Sequence, residues 1–396
     1  MANSKLGIKT IEEVTETLID YRGKTPRKTT EGVKLITAKV IKDGFILDGP
    51  HEYIAEDEYD AWMRRGLPRQ WDILITTEAP LGEVAQLRTA ERVALAQRVI
   101  LLRGNPEVID QAYYFQMLKS PFVQGELRTK SSGTTVLGIK QSELRKVRVP
   151  CPPLTIQRKI AGILSAYDDL IENNTRRIKI LEEMARTIYR EWFVEFRVPG
   201  VKLRKAMPEE KKVTGKDVFP AGWELRPLGD MIELAYGKGL KADQRMPGHV
   251  PVYGSAGVVG YHSESLVKGP GIIVGRKGNV GSVFWSDDDF YPIDTVFYVR
   301  TALGLHYVYY NLQGQNFINN DAAVPGLSRN QAYLNTLVVP ATQTLTAFSD
   351  FIEPMFRQVH NLQAKNANLR RTRDLLLPRL VSGELDVENV EVRMAG

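Results

Sequence analysis

Two sets of side chains sit in turn-rich stretches of this 396-residue chain. The first is Arg22, Lys24, Arg27, Lys28, Lys39, Lys130, Ser131, Ser132 and Thr134. The second is Lys238, Lys241, Arg245, Arg276, Lys277, Asn279, Ser328, Arg329 and Asn330. Lys, Arg, Ser and Thr meet phosphate oxygens, and Arg, Lys and Asn can make paired hydrogen bonds to the edges of bases. That combination is the chemistry of a nucleic-acid reader. For any one residue the ordinary reading is an exposed, solubilising charge. Two stretches carry more weight, RTKSSGTTVLG (128–138) and PGLSRNQ (325–331), because each adjoins a segment that the chain writes twice.

Motifs for chemistry on covalent bonds are missing. No GxxxxGK[ST] phosphate loop occurs, and neither GKG at Gly237 nor GRKGNVGS (275–282) has the spacing of a nucleotide-binding turn. GRKGNVGS lies between strand-like runs and reads as a hairpin turn. The five histidines are scattered, without HExxH or paired-cysteine spacing, so no metal site is expected. The acidic run SDDDF (286–290) reads as a solvated turn, since magnesium wants placed carboxylates together with substrate phosphates. No catalytic residue is assigned.

The elements that must position these loops come in duplicate. TVLGIKQSELRKVRVP ends at Pro150 and PGLSRNQAYLNTLVVP at Pro340. Leu137, Gln141, Leu144, Val149 and Pro150 each recur 190 positions later, as Gln141 does at Gln331. Before each copy lie short runs rich in β-branched residues. In the first globule these are VKLITA (33–38), DILITT (72–77) and ALAQRVILLR (94–103). In the second they are PVYG from Pro251, GIIVG from Gly271, GSVFW from Gly281 and DTVFYVR from Asp294. One helix is expected in each, PEVIDQAYYFQMLKS after Asn105 and GLHYVYYNLQGQNFI before the repeat. Two mixed globules imply the α+β class.

After each copy runs a long heptad-patterned helix. The first places Ile160, Ile163, Tyr167, Leu170, Leu181, Met184 and Ile188 in its seam, widened by Leu164, Ile171 and Ile178. The second places Ile352, Met355, Val359, Leu362, Leu369 and Leu376. Each seam holds one asparagine, Asn174 and Asn366, which either fixes register at a cost in stability or is solvated where the seam frays. The order globule, helix, globule, helix makes antiparallel pairing of the helices the simplest way to bury both stripes, with the globules related by a pseudo-two-fold axis. The basic runs RRIK (176–179) and LRRTR (369–373) read mainly as solvated helix faces. RKAMPEEKKVTGKD reads as a polar linker, and the tail after Leu385 as mobile.

Composition narrows the class. A hydrophobic content of 43% and a charged content of 25% suit a globular protein of two or three domains. A net charge of +6 and a pI of about 9.1 favour a polyanionic partner without proving one. No apolar run spans a membrane, MANSKLGIKT lacks the apolar core of a signal peptide, and the single Cys151 fits a reducing compartment. The expected location is the cytoplasm. Cys151 lies in a Pro-rich junction and reads as inert.

Taken in order, several stretches resemble a known family. These are IDYRGKTP (19–26), ILITTEAPLGEVA (73–85), IYREWFVEF (188–196), FPAGWELRPLGD (219–230), IIVGRKGNVGSV (272–283) and LRRTRDLLLPRLVSGELDV (369–387). The chain resembles, over nearly its whole length, the specificity subunit of type I DNA restriction-modification enzymes. The resemblance implies target recognition domain 1 at 1–153, a spacer helix at 154–197, a linker at 198–218, target recognition domain 2 at 219–342, a second spacer helix at 343–385 and a tail at 386–396. It implies two recognition domains joined by two long antiparallel coiled-coil helices. It further implies a non-catalytic subunit that binds a bipartite site in double-stranded DNA. Two modification subunits would use S-adenosylmethionine to methylate adenine, and motor-nuclease restriction subunits would use ATP and magnesium to cut. Two other readings stay open at this stage: a stand-alone DNA-modifying enzyme, and a coiled-coil adaptor that does not bind DNA. Two diverged loop sets argue against the adaptor.

Overall fold

The computed structural model describes residues 7–21, 25–133, 135–317 and 326–387. The chain divides into two compact units, residues 1–173 with 366–396, and residues 174–365, so each long helix contributes to both.

The first unit is built on a four-stranded antiparallel sheet in the order Thr15–Asp20, Val99–Gly104, Ile73–Thr77, Leu81–Gln86. A three-stranded sheet, Tyr53–Ile54, Val33–Ile36, Val93–Leu95, combines one antiparallel and one parallel pair. Ile8–Thr10 pairs with Arg148–Pro150. The second unit repeats every step. Its four-stranded sheet runs Ile232–Tyr236, Val296–Thr301, Gly271–Gly275, Val283–Ser286. Its three-stranded sheet runs Gly257–His262, Val250–Gly254, Tyr291–Pro292, again with one antiparallel and one parallel pair. Glu224–Pro227 pairs with Thr336–Val339. Strand order and pairing sense agree across these three sheets, the first unit adds a two-stranded hairpin of Ile41–Lys42 with Phe45–Ile46, and the class is α+β.

Local chemistry refines the expected elements. Ile73–Thr77 is buried along its whole length, as a β-branched inner strand should be. The run 94–103 does not form one strand. A turn closed by Val99 N–H donating to Ala96 O (3.2 Å) sends Val93–Leu95 and Val99–Gly104 into different sheets. The helix after Asn105 starts late, at Gln111, because Asp110 caps it by accepting Tyr113 N–H (3.0 Å). Pro106 instead sits in a turn that Asn105 closes by accepting Glu107 N–H (3.0 Å). A further helix, Pro121–Thr129, follows at once, capped by Ser120 and opened by proline.

The repeat is real, but its register is 188, not 190. Ile11 N–H donates to Val147 O (2.8 Å) and Glu12 N–H to Arg145 O (3.0 Å). At the same places Leu228 N–H donates to Asn335 O (2.7 Å) and Gly229 N–H to Tyr333 O (3.2 Å). Tyr113 Oη donates to Pro150 O (3.1 Å), and Tyr307 Oη to Val338 O. The 190 register sets Leu144, fully buried, on Leu334, which is 79% exposed; the 188 register sets it on the buried Ala332. Burial decides, and the identities at 190 are coincidental neighbours.

The long helices, Leu154–Tyr189 and Thr342–Val381, pair antiparallel. In the first unit Asp168 bonds Arg373 (2.6 Å), Ile171 O accepts from Asn366 Nδ2 (3.4 Å), and Ile160 and Leu164 share a core with Leu377, Leu380 and Val381. In the second unit the Tyr189 ring lies 6.3 Å from Phe348, and Ala185 shares a core with Ile352. Advancing along one helix therefore retreats along the other. The second helix buries Ile352 and Leu362 as its heptads foretell, and of the two alternatives for Asn366 it takes the buried one. On the first the seam is rotated by one residue: Gln157, Ala161, Leu164, Asp168 and Ile171 are buried, while Leu170 is 54% exposed and Met184 46%. Two seam positions are thus polar, and a count of apolar residues misses them. Asn366 is buried and Asn174 is half-buried.

The first helix ends in a π turn, Arg190–Val194. Phe196 follows with a left-handed φ of 58° and is buried against Phe219 and Trp223. The segment expected as a linker, 198–218, carries secondary structure of its own. Leu203–Lys205 pairs with Val218–Pro220 around the helix Pro208–Thr214. Glu210, buried, accepts two bonds from Arg204 (2.8 and 2.5 Å) and one from Met207 N–H (2.7 Å). Charge pairing and capping order a segment whose low apolar content suggested none. The tail is anchored by buried Val387 in the first unit's core; residues 388–396 lie outside the described residues.

Candidate nucleic-acid interface

In the second unit, strand Ile232–Tyr236 ends on a tyrosine whose residue is 50% exposed. Arg276, one residue beyond strand Gly271–Gly275, lays its guanidinium over the Tyr236 ring at 5.0 Å and over Phe297 at 5.7 Å. Arg329, the first residue of the short helix Arg329–Ala332, covers the same Tyr236 ring at 5.1 Å. Backbone bonds lock the loops: Arg276 N–H donates to Thr295 O (2.9 Å) and Leu327 N–H to Arg276 O (2.8 Å), while Lys277 bridges Gly326. Arg276 Nη1 also donates to Asp294 O (2.9 Å). Of the candidates, Arg276, Lys277, Ser328, Arg329 and Asn330 therefore come together. Lys277, Ser328 and Asn330 are exposed, and Ser328 stands at the cap position of the short helix. Asn279 is exposed in the adjoining hairpin, and Lys238 is exposed two residues beyond Tyr236, its N–H on Pro292 O (3.0 Å). Lys241 is exposed in a separate turn. Arg245 is used structurally, donating from Nη1 to Val259 O (2.7 Å).

The same loops in the first unit carry other chemistry. Thr77 N–H donates to Arg98 O (3.0 Å), Ile139 N–H to Thr77 O (3.0 Å), and Glu78 bridges Gly138. Thr77, Glu78, Arg98 and Ile139 thus stand where Arg276, Lys277, Thr295 and Leu327 stand in the second unit. Gln141, opening the helix Gln141–Leu144, matches Arg329; Asp20, ending its strand, matches Tyr236. Glu78 and Arg98 form an ion pair (2.8 Å) at a cleft of about 370 Å³ that Thr77, Gln97, Ser132 and Lys140 also line. Among the described residues of the first set of candidates only Ser132 lines this cleft; Ser131 and Lys130 precede it, with Ser131 Oγ on Arg128 O (2.7 Å) and Lys130 3.9 Å from Glu126. Lys28 (2.6 Å) and Lys39 (3.5 Å) instead converge on Glu52, whose carboxyl is held low chiefly by the hydrogen bond from Lys28. Arg27 is exposed. Arg22, Lys24 and Thr134 lie outside the described residues. Tyr236, Glu78, Arg98 and Gln141 escaped the sequence reading; aligning the two copies at 188 is the signal that finds Gln141.

The remaining motifs take structural roles. GRKGNVGS is a hairpin turn with left-handed Gly278 (φ 79°) and Gly281 (φ 77°), closed by Gly275 N–H on Ser282 O (2.7 Å). In SDDDF, Asp287 accepts from Trp285 Nε1 (2.9 Å), and Asp289 from Lys268 (2.6 Å) and Gly269 N–H (3.0 Å). Among the described residues no group of three His, Cys, Asp or Glu side chains could hold a metal ion. Burial pushes the Cys151 thiol up, away from reactivity. The run LRRTR is not wholly a solvated face, since Arg373 is buried. Among the described residues no helix is long and apolar enough to cross a membrane.

Comparison with known proteins matches this duplicated fold. The family model described as the type I restriction modification DNA specificity domain matches residues 7–183 and 220–332. The chain belongs to that family. The specificity subunit of the type I restriction enzyme MjaIX of Methanocaldococcus jannaschii is 25% identical over 358 residues, covering 80% of this chain and 78% of its own length. The HindI specificity subunit of Haemophilus influenzae is 21% identical over 378 residues, covering 74% of this chain and 82% of its own. The fold resembles that of a type I restriction-modification S subunit from M. genitalium, with a TM-score of 0.56 at 18% identity and 96% of each chain covered. This chain is therefore a type I specificity protein with two recognition domains. The loops around Tyr236 and around Glu78 are the matching loops of those two domains.

Proposed function

We propose that this chain selects the DNA sequence on which a type I restriction-modification complex acts. Each recognition domain reads one half of a bipartite duplex site. Adenine methylation is the work of two modification subunits carrying S-adenosylmethionine, and cleavage the work of restriction subunits using ATP and magnesium. The chain itself supplies binding and no covalent step, and the assembly works in the cytoplasm. The observation that carries this reading is one fold present twice with different side chains at matching loop positions. A scaffold would need neither the duplication nor the difference; a reader of two unlike half-sites needs both. Arg, Lys and Ser side chains around Tyr236 suit phosphate and base-edge contacts. Exposed Leu170, Ile180, Met184, Phe351 and Leu375 on the long helices offer apolar surface for protein partners.

The test is to purify the chain with its co-encoded modification subunits and sequence methylated adenines in DNA exposed to the complex. A motif of two defined half-sites separated by an undefined spacer is expected. Affinity should fall steeply with salt, by a log–log slope of about 0.9 per phosphate contact. Methylation by the chain alone, or no sequence preference in the complex, would refute the proposal.

A further inference from the structure

Glu78 and Lys277 occupy one place in one fold. Each follows the inner strand of its four-stranded sheet, each bridges a glycine, Gly138 or Gly326, and each lies beside the residue whose carbonyl holds the next loop, Thr77 or Arg276. The chemistry at that place is inverted. In the first domain it is a carboxylate, next to Thr77 and paired with Arg98. In the second it is an ammonium, next to Arg276, whose guanidinium shares the Tyr236 ring with that of Arg329. Neither residue belongs to a core: the Glu78 side chain is 45% exposed and Lys277 is exposed. Arg98 holds Glu78 Oε1 at 2.8 Å, which fixes the carboxylate's direction. On its other side stands Gly138, where even a methyl group would lie 3.4 Å from Oε2.

From this inversion we infer that Glu78 accepts the 4-amino group of a cytosine in one half-site, and that Lys277 donates to O6 and N7 of a guanine in the other. The inference rests on the DNA-reading role proposed above and adds the base chemistry to it. A carboxylate only accepts hydrogen bonds, so it needs an exocyclic amino group. Adenine offers one, but its N7 lone pair stands alongside and repels a second negative atom. The cytosine amino group is flanked by a C–H and carries no such penalty. An ammonium only donates and is matched by the two adjacent acceptors of guanine. In the second domain the Arg276 and Arg329 guanidinia over the Tyr236 ring keep the same loops donor-rich and would reject a neighbouring amino group. In the first, the Glu78–Arg98 pair lowers the local positive charge, so that domain depends less on phosphate attraction and more on the match at the base edge.

The experiment uses the complex with its modification subunits and two variants, Glu78→Ala and Lys277→Ala. Methylated-site sequencing should show each variant relaxing one G·C position in one half-site and leaving the other half-site intact, which also shows that the variant is folded. Binding is then measured on duplexes altered by single atoms or groups. Replacing the assigned cytosine by pyrimidin-2-one, which lacks the amino group, should weaken the wild-type complex on the order of ten- to a hundred-fold and leave the Glu78→Ala complex unchanged. Replacing the assigned guanine by 7-deazaguanine should weaken the wild type and spare Lys277→Ala. An unchanged motif, relaxation at an A·T position, or equal penalties in variant and wild type would overturn the inference while leaving the bipartite reader standing. Absence of any bipartite motif in the wild-type complex would remove both.

Discussion

At the scale of single residues, the most consequential group is a charged cluster inside the first unit. Asp168 on the first long helix accepts from Arg373 (2.6 Å) on the second, and from Gln116 (2.7 Å) and Lys119 (3.2 Å) on the helix Gln111–Lys119. Asp168, Arg373 and Gln116 are buried. Burial alone would raise the Asp168 carboxyl, but the charges of Lys119 and Arg373 outweigh it and hold it below the ordinary range. Burial pushes the Lys119 ammonium down to about 8 in spite of Asp168, so at neutral pH the group still carries most of its charge. Because the Asp168 carboxyl is lowered on folding, the unfolded chain takes up that proton first. The stabilisation is therefore complete above about pH 4 and is lost as pH falls through the folded value. Asp168→Asn should cost about 3 kcal/mol in urea unfolding of the first unit at pH 7, since it removes the carboxylate that the buried Arg373 and the mostly buried Lys119 share. The same variant should flatten the acid limb of the stability curve, and an unchanged acid limb would contradict the assignment. The positions matching Asp168 and Arg373 in the second unit are Phe356, which packs against its apolar core, and Ala185, which lies in it. Replacing Asp168, Lys119 and Arg373 together by Leu, Met and Met should accordingly recover most of the loss.

At the scale of elements, the long helices show how a seam tolerates polar residues. Asn366 is buried at a position whose counterpart, 188 residues earlier, is Ile178. Its Nδ2 reaches Ile171 O at 3.4 Å, a long bond for a buried amide. Asn366→Ile removes the buried amide that meets Ile171 O and should lower the unfolding free energy of the first unit by about 1 kcal/mol, with no change in denaturant slope. Equal or higher stability in urea unfolding would show that the seam does not need the amide. The π turn Arg190–Val194 has a different task. It aims Phe193 into the second unit's core, 4.7 Å from Tyr307 and 4.8 Å from Phe348, and so couples helix end to recognition domain.

At the scale of the whole molecule, each unit has cores of its own. Ile73, Tyr113, Leu164 and Leu380 belong to one, and Phe193, Phe297, Tyr307 and Ile352 to another. A change in one recognition domain therefore leaves the packing of the other untouched. Replacing residues 219–340 with the matching segment of a relative, while keeping Ala185, Phe193, Phe348 and Ile352, should alter one half-site of the methylated motif and not the other. Sequencing methylated sites of the chimera decides the matter: a change in both half-sites would mean that the domains read one composite surface.

Much of this was legible in the residues alone. Heptads over 36 and 40 residues announce two helices, and paired β-branched runs bounded by turns announce two like α+β globules. Such patterns are local, because a stripe or an alternation must recur at the period of the element that buries it. Ser328, Arg329 and Asn330 stand out in the sequence as polar residues beside a repeat, and Arg276 and Lys277 as charges in a strand-connecting turn. What the residues alone left undecided depended on partners distant in sequence. The 188 register rests on which leucine is buried, and Leu334 looks like Leu144 until tertiary contacts expose it. The rotated seam rests on Asp168, which is credible inside a helix pair only once Arg373 and Lys119 arrive from other elements. Order at 203–220 rests on Arg204 finding Glu210. The pairing of Glu78 with Lys277 by position emerges only when two folds are laid on one another, because charge inversion erases the likeness in sequence that shared geometry preserves in space.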